Sequence, residues 1–138
     1  MVMELTKSYR PTDDEPFMND RQLAYFKEKL LYWKEEILDQ SRLTIEQMQT
    51  SSLHLADPAD RASSETDHSL ELRTRDRQRK LIAKIDAALR RIEEGEYGYC
   101  EETGEPISLR RLDARPTATM TLEAQEQHER KEKVHRDD

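Results

Sequence analysis

Two long helix-forming segments joined by a short connection constrain the fold of this chain more than any other feature. Residues 20–52 are typical of one long charged helix, and residues 58–94 are typical of another. A short connection between two such helices makes them antiparallel neighbours. We therefore expect a helical hairpin whose tip spans residues 53–62 and carries the carboxylates of Asp57 and Asp60.

The composition of the chain limits the size of its core and the classes of partner. Charged residues make up 38% of the 138 residues and hydrophobic residues only 34%. Compact globules usually have a larger apolar share, so we expect a mostly α-helical protein with a thin core. The net charge of -7 disfavours general affinity for DNA phosphate. No apolar run approaches the ~20 residues of a membrane span, and a single cysteine favours a reducing cytoplasm.

The first helix has several start signals. Asn19 is suited to cap it, and Gln22 follows three residues later, as in a capping box. Met18 and Leu23 occupy the two positions of a hydrophobic staple. Residues 1–18 contain two prolines and are predicted to form an irregular leader that packs on the base of the hairpin.

Both long helices carry apolar residues at the three- and four-residue spacing of a coiled-coil seam. In the first helix these are Leu23, Phe26, Leu30, Trp33 and Ile37, resumed by Ile45 and Met48. In the second helix they are Leu81, Ile85, Leu89 and Ile92. The middle of the second helix, residues 73–80, contains five basic residues and one acid, so its charge must be largely solvated or must face a partner.

The acids of the tip also have a purely structural explanation. Asp57 is suited to cap the second helix, with Pro58 at the first helical position, where its missing N–H has no cost. Asp60 would then lie close to the positive end of the helix dipole. This explanation is compatible with a function for the same carboxylates.

Four domains or segments follow from these patterns. The leader covers residues 1–18, and the coiled-coil hairpin covers residues 19–94, where Gly95 is suited to end the second helix. Residues 95–120 are rich in turn formers and are predicted to form a small globular segment. Residues 121–138 are predicted to form a final charged helix.

Three blocks of sequence resemble the DksA/TraR family of bacterial transcription factors. They cover residues 57–62, 69–85 and 98–118, and the pattern of residues 110–118 is the most specific. The resemblance implies a long antiparallel coiled-coil hairpin on a small, zinc-finger-like globular base with a C-terminal helix. It also implies that the protein is a cytoplasmic regulator and not an enzyme. Its expected partner is RNA polymerase, and it is not expected to bind specific DNA sequences directly. We expect a monomer.

The resemblance further implies roles for residues of the tip and the hairpin. Family members insert the hairpin into the secondary channel of the polymerase and alter the stability of open promoter complexes, which represses ribosomal RNA promoters. By this resemblance Asp57, Asp60 and Ala62 belong to the tip that acts near the active centre. Basic residues of the second helix, with Arg77 the leading candidate, are expected to dock on the polymerase.

The alarmone guanosine tetraphosphate (ppGpp) strengthens the effect of family members in the stringent response. The family contacts for ppGpp fall on Leu81, Lys84 and Arg115 of this sequence. A lysine expected in the C-terminal helix is replaced by Gln125, which weakens phosphate attraction without removing the site. The strength of the ppGpp response is therefore left open, as are the promoter targets.

The chain departs from the family at its metal-binding positions. Many members have four cysteines as two CxxC pairs, which is a strong zinc signature. Here these positions hold Cys100, Thr103, Thr121 and Ala124, which do not form a tetrahedral zinc site. We expect a zinc-independent fold held by packing of Tyr97, Tyr99, Ile107, Leu112 and Leu122. Cys100 is interpreted as a small buried hydrophobe, with a redox sensor as the alternative.

Two other functions are compatible with a hairpin that has an acidic tip. Tip carboxylates could hold a second magnesium ion in the polymerase and promote transcript cleavage, as in the similarly shaped Gre factors. The chain could also be a coiled-coil adaptor of unrelated function. No motif for independent catalysis, such as a P-loop or a Rossmann glycine pattern, is present.

Overall fold

The computed structural model describes residues 9–52 and 58–137 and shows a mostly helical protein. Four helices follow in chain order: α1 (Asp20–Ser52), α2 (Pro58–Glu94), α3 (Leu109–Ala114) and α4 (Leu122–Asp137). The predicted fold class is confirmed, since the described residues hold no strand beyond one isolated bridge between Tyr99 and Pro106. None of the helices in these ranges has the length and apolarity needed to cross a bilayer.

The chain divides into two compact units. The first unit combines Met1–Leu30 with Ala87–Asp138, and the second unit is Leu31–Asp86. The second unit therefore contains most of α1 and α2. The first unit contains α3, α4 and the outer ends of the two long helices.

The start of α1 follows the predicted capping pattern with one change. The side-chain oxygen of Asn19 accepts a hydrogen bond from the backbone N–H of Gln22 at 2.8 Å. The side chain of Gln22 accepts in return from the N–H of Met18 at 2.8 Å, because the N–H of Asn19 already donates to the carbonyl of Pro16 at 3.2 Å. Met18 itself has a positive φ of 54°, and its side chain lies against Gly98.

Within the second unit, α1 and α2 run antiparallel, as predicted. Lys34 Nζ lies 2.7 Å from Asp86 Oδ1, and the hydroxyl of Ser41 donates to Gln78 Oε1 at 2.7 Å. The residue number rises along α1 while that of its partner falls along α2, which is the register of a helical hairpin.

The coiled-coil seam is confirmed by burial along both helices. On α1, Phe26, Leu30 and Ile37 are buried, while Leu23 and Trp33 are half-buried. On α2 the buried seam residue is Ile85, and the other three predicted members are half-buried. Ile45 is half-buried, and the side chain of Met48 lies outside the described part of the structure.

The first unit holds the larger core. Its buried apolar residues come from every helix and from the loop between α2 and α3. They are Phe26, Leu30, Ala88, Tyr97, Cys100, Ile107, Leu109, Leu112 and Ala124.

The short helix α3 is a feature that the turn-rich composition of residues 95–120 did not predict. Ser108 caps it by accepting a hydrogen bond from the N–H of Arg111 at 3.2 Å. Leu109 and Leu112 lie three residues apart on one face and are 8% and 0% exposed. A helix this short is marginal alone, so tertiary packing of this face stabilises it.

Candidate functional site

The predicted tip lies at the start of α2. Asp60 and Ala62 fall in the first two turns of this helix, which begins at Pro58. Asp57 lies outside the described residues, and so do the side chains of Asp60 and Ala62. The roles of these three residues therefore remain predictions.

The basic residues of α2 form an exposed row, which we call the basic stripe. It consists of Arg73, Arg77, Lys80 and Lys84, spaced at i, i+4, i+7 and i+11, so that all four share one face of the helix. All four side chains are exposed, and the ion pairs found among the described residues include none of them. A row of solvated cations on an acidic protein is suited to an acidic partner surface.

The residues expected to contact ppGpp are divided between the two units. Leu81 is half-buried and Lys84 exposed in the second unit. In the first unit, Arg115 is exposed and ends α3, with its N–H donating to the carbonyl of Arg111 at 2.8 Å. Gln125, where the family has a lysine, donates to Glu129 Oε1 at 3.1 Å.

Three of the four zinc-ligand positions of the family come together in the first unit. Cys100, Thr121 and Ala124 are 4%, 8% and 3% exposed. The hydroxyl of Thr121 donates to Cys100 Sγ at 4.0 Å and accepts from the N–H of Ala124 at 3.3 Å, so Thr121 caps α4. The fourth position, Thr103, is exposed.

These residues do not fit a zinc ion. Ala124 has no donor atom, and the hydroxyl of Thr121 is engaged in capping a helix. A structural zinc site uses four ligands of the Cys, His or carboxylate type, and Cys100 is the single one here. Among residues 9–52 and 58–137, no group of three or more such side chains is placed to hold a metal.

The predicted packing around this degenerate site is confirmed except at one position. Tyr97, Ile107 and Leu112 are 2%, 0% and 0% exposed, and Tyr99 is half-buried with its ring edge-on to Phe17 at 5.4 Å. Leu122 is 54% exposed, so its prediction was wrong.

The error at Leu122 has a geometric cause. Thr121 and Ala124 lie on the inner face where α4 begins, and both are buried. Leu122 is one residue on from Thr121, about 100° around the helix axis, and therefore points outward. Its apolar character was a weaker guide than its position.

The thiol of Cys100 is more acidic than an ordinary cysteine. Burial raises its pKa, but hydrogen bonds from the Thr103 hydroxyl and from backbone groups of Thr121, Thr103 and Glu102 outweigh burial and lower the pKa to about 7. A thiol in purely apolar surroundings would show the opposite shift. The interpretation of Cys100 as buried is confirmed, yet its surroundings are polar.

Sequence reasoning missed a polar cluster that joins α1 to the end of α3. The carboxylate of Asp113 accepts hydrogen bonds from the Tyr25 hydroxyl at 2.6 Å and from Lys29 Nζ at 2.8 Å. Lys29 also donates to the backbone carbonyl of Asp113 at 2.6 Å, and Arg10 donates to the Tyr25 hydroxyl at 2.9 Å. Partial burial raises the pKa of Asp113, but the bonds from Lys29 and Tyr25 outweigh it and lower the pKa.

Comparison with known proteins assigns this arrangement to a family. Residues 22–92 match the family model described as DnaK suppressor protein DksA, N-terminal domain. Residues 95–130 match the prokaryotic dksA/traR C4-type zinc finger. The chain therefore belongs to the DksA family, as its sequence predicted, although Cys100 is the single cysteine at the four ligand positions that give the second model its description.

Particular relatives cover nearly the whole chain. It is 74% identical over 137 residues to an RNA polymerase-binding transcription factor DksA of Caulobacter vibrioides, covering 99% of this chain and 96% of the relative. It is 42% identical over 127 residues to the protein of that name in Haemophilus influenzae, covering 92% and 88% of the two chains. The solved structure of transcription factor DksA2 from Pseudomonas aeruginosa matches with a TM-score of 0.80 at 39% identity, covering 87% of this chain and 95% of that one.

Proposed function

We propose that this chain is a transcription regulator that binds RNA polymerase. The observation that carries the proposal is its 74% identity, over 99% of its length, to a relative named as an RNA polymerase-binding transcription factor. The same name recurs at 42% identity. The chain then acts in the cytoplasm as a regulator of another enzyme, without catalysis of its own.

The finer part of the proposal concerns the hairpin and its tip. The hairpin enters the secondary channel of the polymerase and carries Asp57 and Asp60 to the active centre, where their charge alters open-complex stability. The antiparallel pairing of α1 and α2 in the second unit supports this role, because a hairpin brings the start of α2 to its turn. Leu81, Lys84 and Arg115 contribute to ppGpp binding, which strengthens the effect.

The basic stripe is the proposed docking surface for an acidic face of the polymerase. Exposed cations in one row attract such a face at long range and fix its register on α2.

Exposed apolar residues are concentrated in the same unit as the basic stripe. Of the eight large hydrophobic residues that are exposed in the described part of the chain, six lie in the second unit. They are Leu31, Tyr32, Leu38, Leu43, Leu70 and Leu72. A unit that leaves such residues in solvent while carrying a row of cations has the chemistry of a partner interface.

Direct binding of purified polymerase tests the proposal, with two arginine variants of α2. Arg77→Ala removes a member of the basic stripe, whereas Arg79→Ala removes the same charge from another face of the helix. We expect Arg77→Ala to weaken binding about tenfold, equivalent to about 1.4 kcal/mol, and Arg79→Ala to change it less than about twofold. The loss at Arg77 should be greatest at low salt, where screening is weakest.

Two results would contradict this assignment. Wild-type protein that fails to bind polymerase at any salt concentration would refute the proposed function itself. Equal losses in Arg77→Ala and Arg79→Ala would show that only net charge matters and that the stripe has no specific role.

A further inference from the structure

The polar cluster around Asp113 lies two residues before Arg115, the residue of the first unit that is expected to contact ppGpp. We infer that Tyr25, Lys29 and Asp113 are positioning residues that hold the end of α3, and with it Arg115, in the orientation required for ppGpp binding. The inference rests on the proposed function and adds to it three residues outside the contacts that the family resemblance implies.

The contacts of Asp113 fix both its side chain and its backbone. Its carbonyl is one of the last four of α3, which have no partner within the helix. Lys29 Nζ donates to this carbonyl at 2.6 Å and to the carboxylate at 2.8 Å. A cation at this place also complements the negative end of the helix dipole.

The hydroxyl of Tyr25 adds a second anchor on α1. It donates to the same carboxylate oxygen at 2.6 Å and lies one helical turn before Lys29. Hydrogen bonds to a charged group are the stronger kind, and these two come from a single rigid helix. Together they prevent the end of α3 from turning about its own axis.

Other contacts keep α3 in place without this cluster. Leu109 and Leu112 are buried, and Arg111 Nε donates to the carbonyl of Met120 at 3.0 Å. Asp113 and Lys29 remain 46% and 35% exposed, so their pairing contributes less to folding than the buried leucines do. Loss of the cluster should therefore loosen the last turn of α3 and leave the helix docked.

Arg115 is sensitive to such loosening because of its place in the chain. Its N–H donates to the carbonyl of Arg111 at 2.8 Å, and its own carbonyl accepts from the N–H of Ala118 at 3.0 Å. Its side chain is exposed, so the position of its Cα and the direction of its Cα–Cβ bond set the region that the guanidinium can reach. Binding of a phosphate group by a guanidinium depends on orientation.

The test uses two variants of the cluster and a matched control. Asp113→Asn removes the charge, and Tyr25→Phe removes one hydroxyl and carries the test if Asp113→Asn does not fold. Glu101→Gln is the control, because Glu101 accepts an equally short bond from Arg91 at 2.6 Å in the same unit. The full chain is assayed with RNA polymerase at increasing ppGpp concentrations. The measured quantity is the ppGpp concentration at which half of the maximal ppGpp effect on open-complex lifetime is reached.

We expect Asp113→Asn to raise this concentration roughly five- to tenfold and Tyr25→Phe roughly two- to threefold, the scale of lost charge-assisted hydrogen bonds. Glu101→Gln should leave it unchanged, and all three variants should bind polymerase normally without ppGpp. Of the three variants, only Asp113→Asn should accelerate hydrogen exchange at the Arg115 N–H, by about tenfold. In an Arg115→Ala background, Asp113→Asn should have no further effect, because the two act in series.

The outcomes separate this inference from the proposed function. Wild-type protein that responds to ppGpp through Arg115, while both cluster variants match it in response and in exchange, would overturn this inference alone. An equal shift in Glu101→Gln, or a full additional loss in the Arg115→Ala background, would overturn it too. Wild-type protein that binds polymerase and ignores ppGpp would contradict the ppGpp part of the proposed function and this inference with it.

Discussion

Among the described side chains, nine apolar residues are buried in the first unit, whereas only Ile37 and Ile85 are buried in the second. The exposed large hydrophobic residues that the structure describes show the reverse distribution, with six in the second unit and two, Leu122 and Val134, in the first. Both units include parts of the same two long helices. The difference therefore arises from what packs against those helices, and not from the helices themselves.

This contrast indicates that the two units contribute differently to stability and to recognition. In the first unit, α3, α4 and the loop after α2 cover the helix ends, and buried side chains pack around the degenerate metal-ligand positions. In the second unit, α1 and α2 pack mainly on each other, which leaves their outer faces available to a partner. Stability is thus concentrated in one unit, and the proposed recognition surface lies in the other.

Truncation of one leucine in each unit should test this contrast most strongly. Leu112→Ala in the first unit removes a fully buried side chain and should lower the free energy of unfolding by about 2 to 5 kcal/mol. Leu43→Ala, at a side chain that is 57% exposed, should change it by less than about 0.5 kcal/mol. Urea unfolding measures both values. Similar losses at the two sites would break the contrast.

Alanine substitutions at two glycines of the first unit should test how closely this unit is packed. Gly98 and Gly104 have φ values of 92° and 74°, but a Cβ at Gly98 would lie 3.0 Å from the side chain of Met18, while one at Gly104 would meet nothing within 4 Å. We expect Gly104→Ala to cost about 1 kcal/mol through backbone strain and Gly98→Ala about 2 to 3 kcal/mol. The Met18→Ala background should reduce this difference, and a persistent difference would exclude Met18 as its cause.

The polar surroundings of Cys100 should appear as a dependence of stability on pH. Its pKa is about 7 in the folded chain and about 8.5 in an unfolded one. A lowered pKa stabilises the folded state above the unfolded value, and this contribution is lost as the pH falls through 7. Relative to Cys100→Ser, wild type should therefore gain about 1 to 2 kcal/mol between pH 6 and pH 9 under reducing conditions.

Unfolding curves of both proteins at several pH values would measure this gain. The serine hydroxyl does not ionise in this range, so Cys100→Ser serves as the internal control. A difference between the two proteins that does not change with pH would return Cys100 to the role of a neutral packing residue.

Local patterns predicted the two long helices, and predicted less of what packs on their ends in the first unit. The helix bounds and the seam follow from capping residues and apolar spacing, which act over a few positions. The position of Leu122 and the capping role of Thr121 depend on which face of α4 meets the core, which the sequence of α4 alone does not specify. The cluster of Tyr25 with Asp113 joins residues 88 positions apart, so no local pattern reveals it.

The tip illustrates a different limit. A carboxylate at the start of a helix is explained equally by capping and by function, since both favour negative charge at the same place. The family resemblance implies that Asp57 and Asp60 act near the active centre of the polymerase. Their side chains lie outside the described part of the structure. A measurement that separates charge from capping is therefore required.

The most direct test of the central claim pairs polymerase affinity with open-complex lifetime for wild type and Asp60→Asn at a ribosomal promoter. Asp67→Asn, at an exposed acid farther along α2, is the matched control. We predict that Asp60→Asn binds polymerase within about twofold of wild type, loses at most about 1 kcal/mol of stability, and no longer shortens the open-complex lifetime, while Asp67→Asn behaves as wild type. Equal lifetimes for wild type and Asp60→Asn at saturating protein would contradict the account and leave the tip acid as a helix cap.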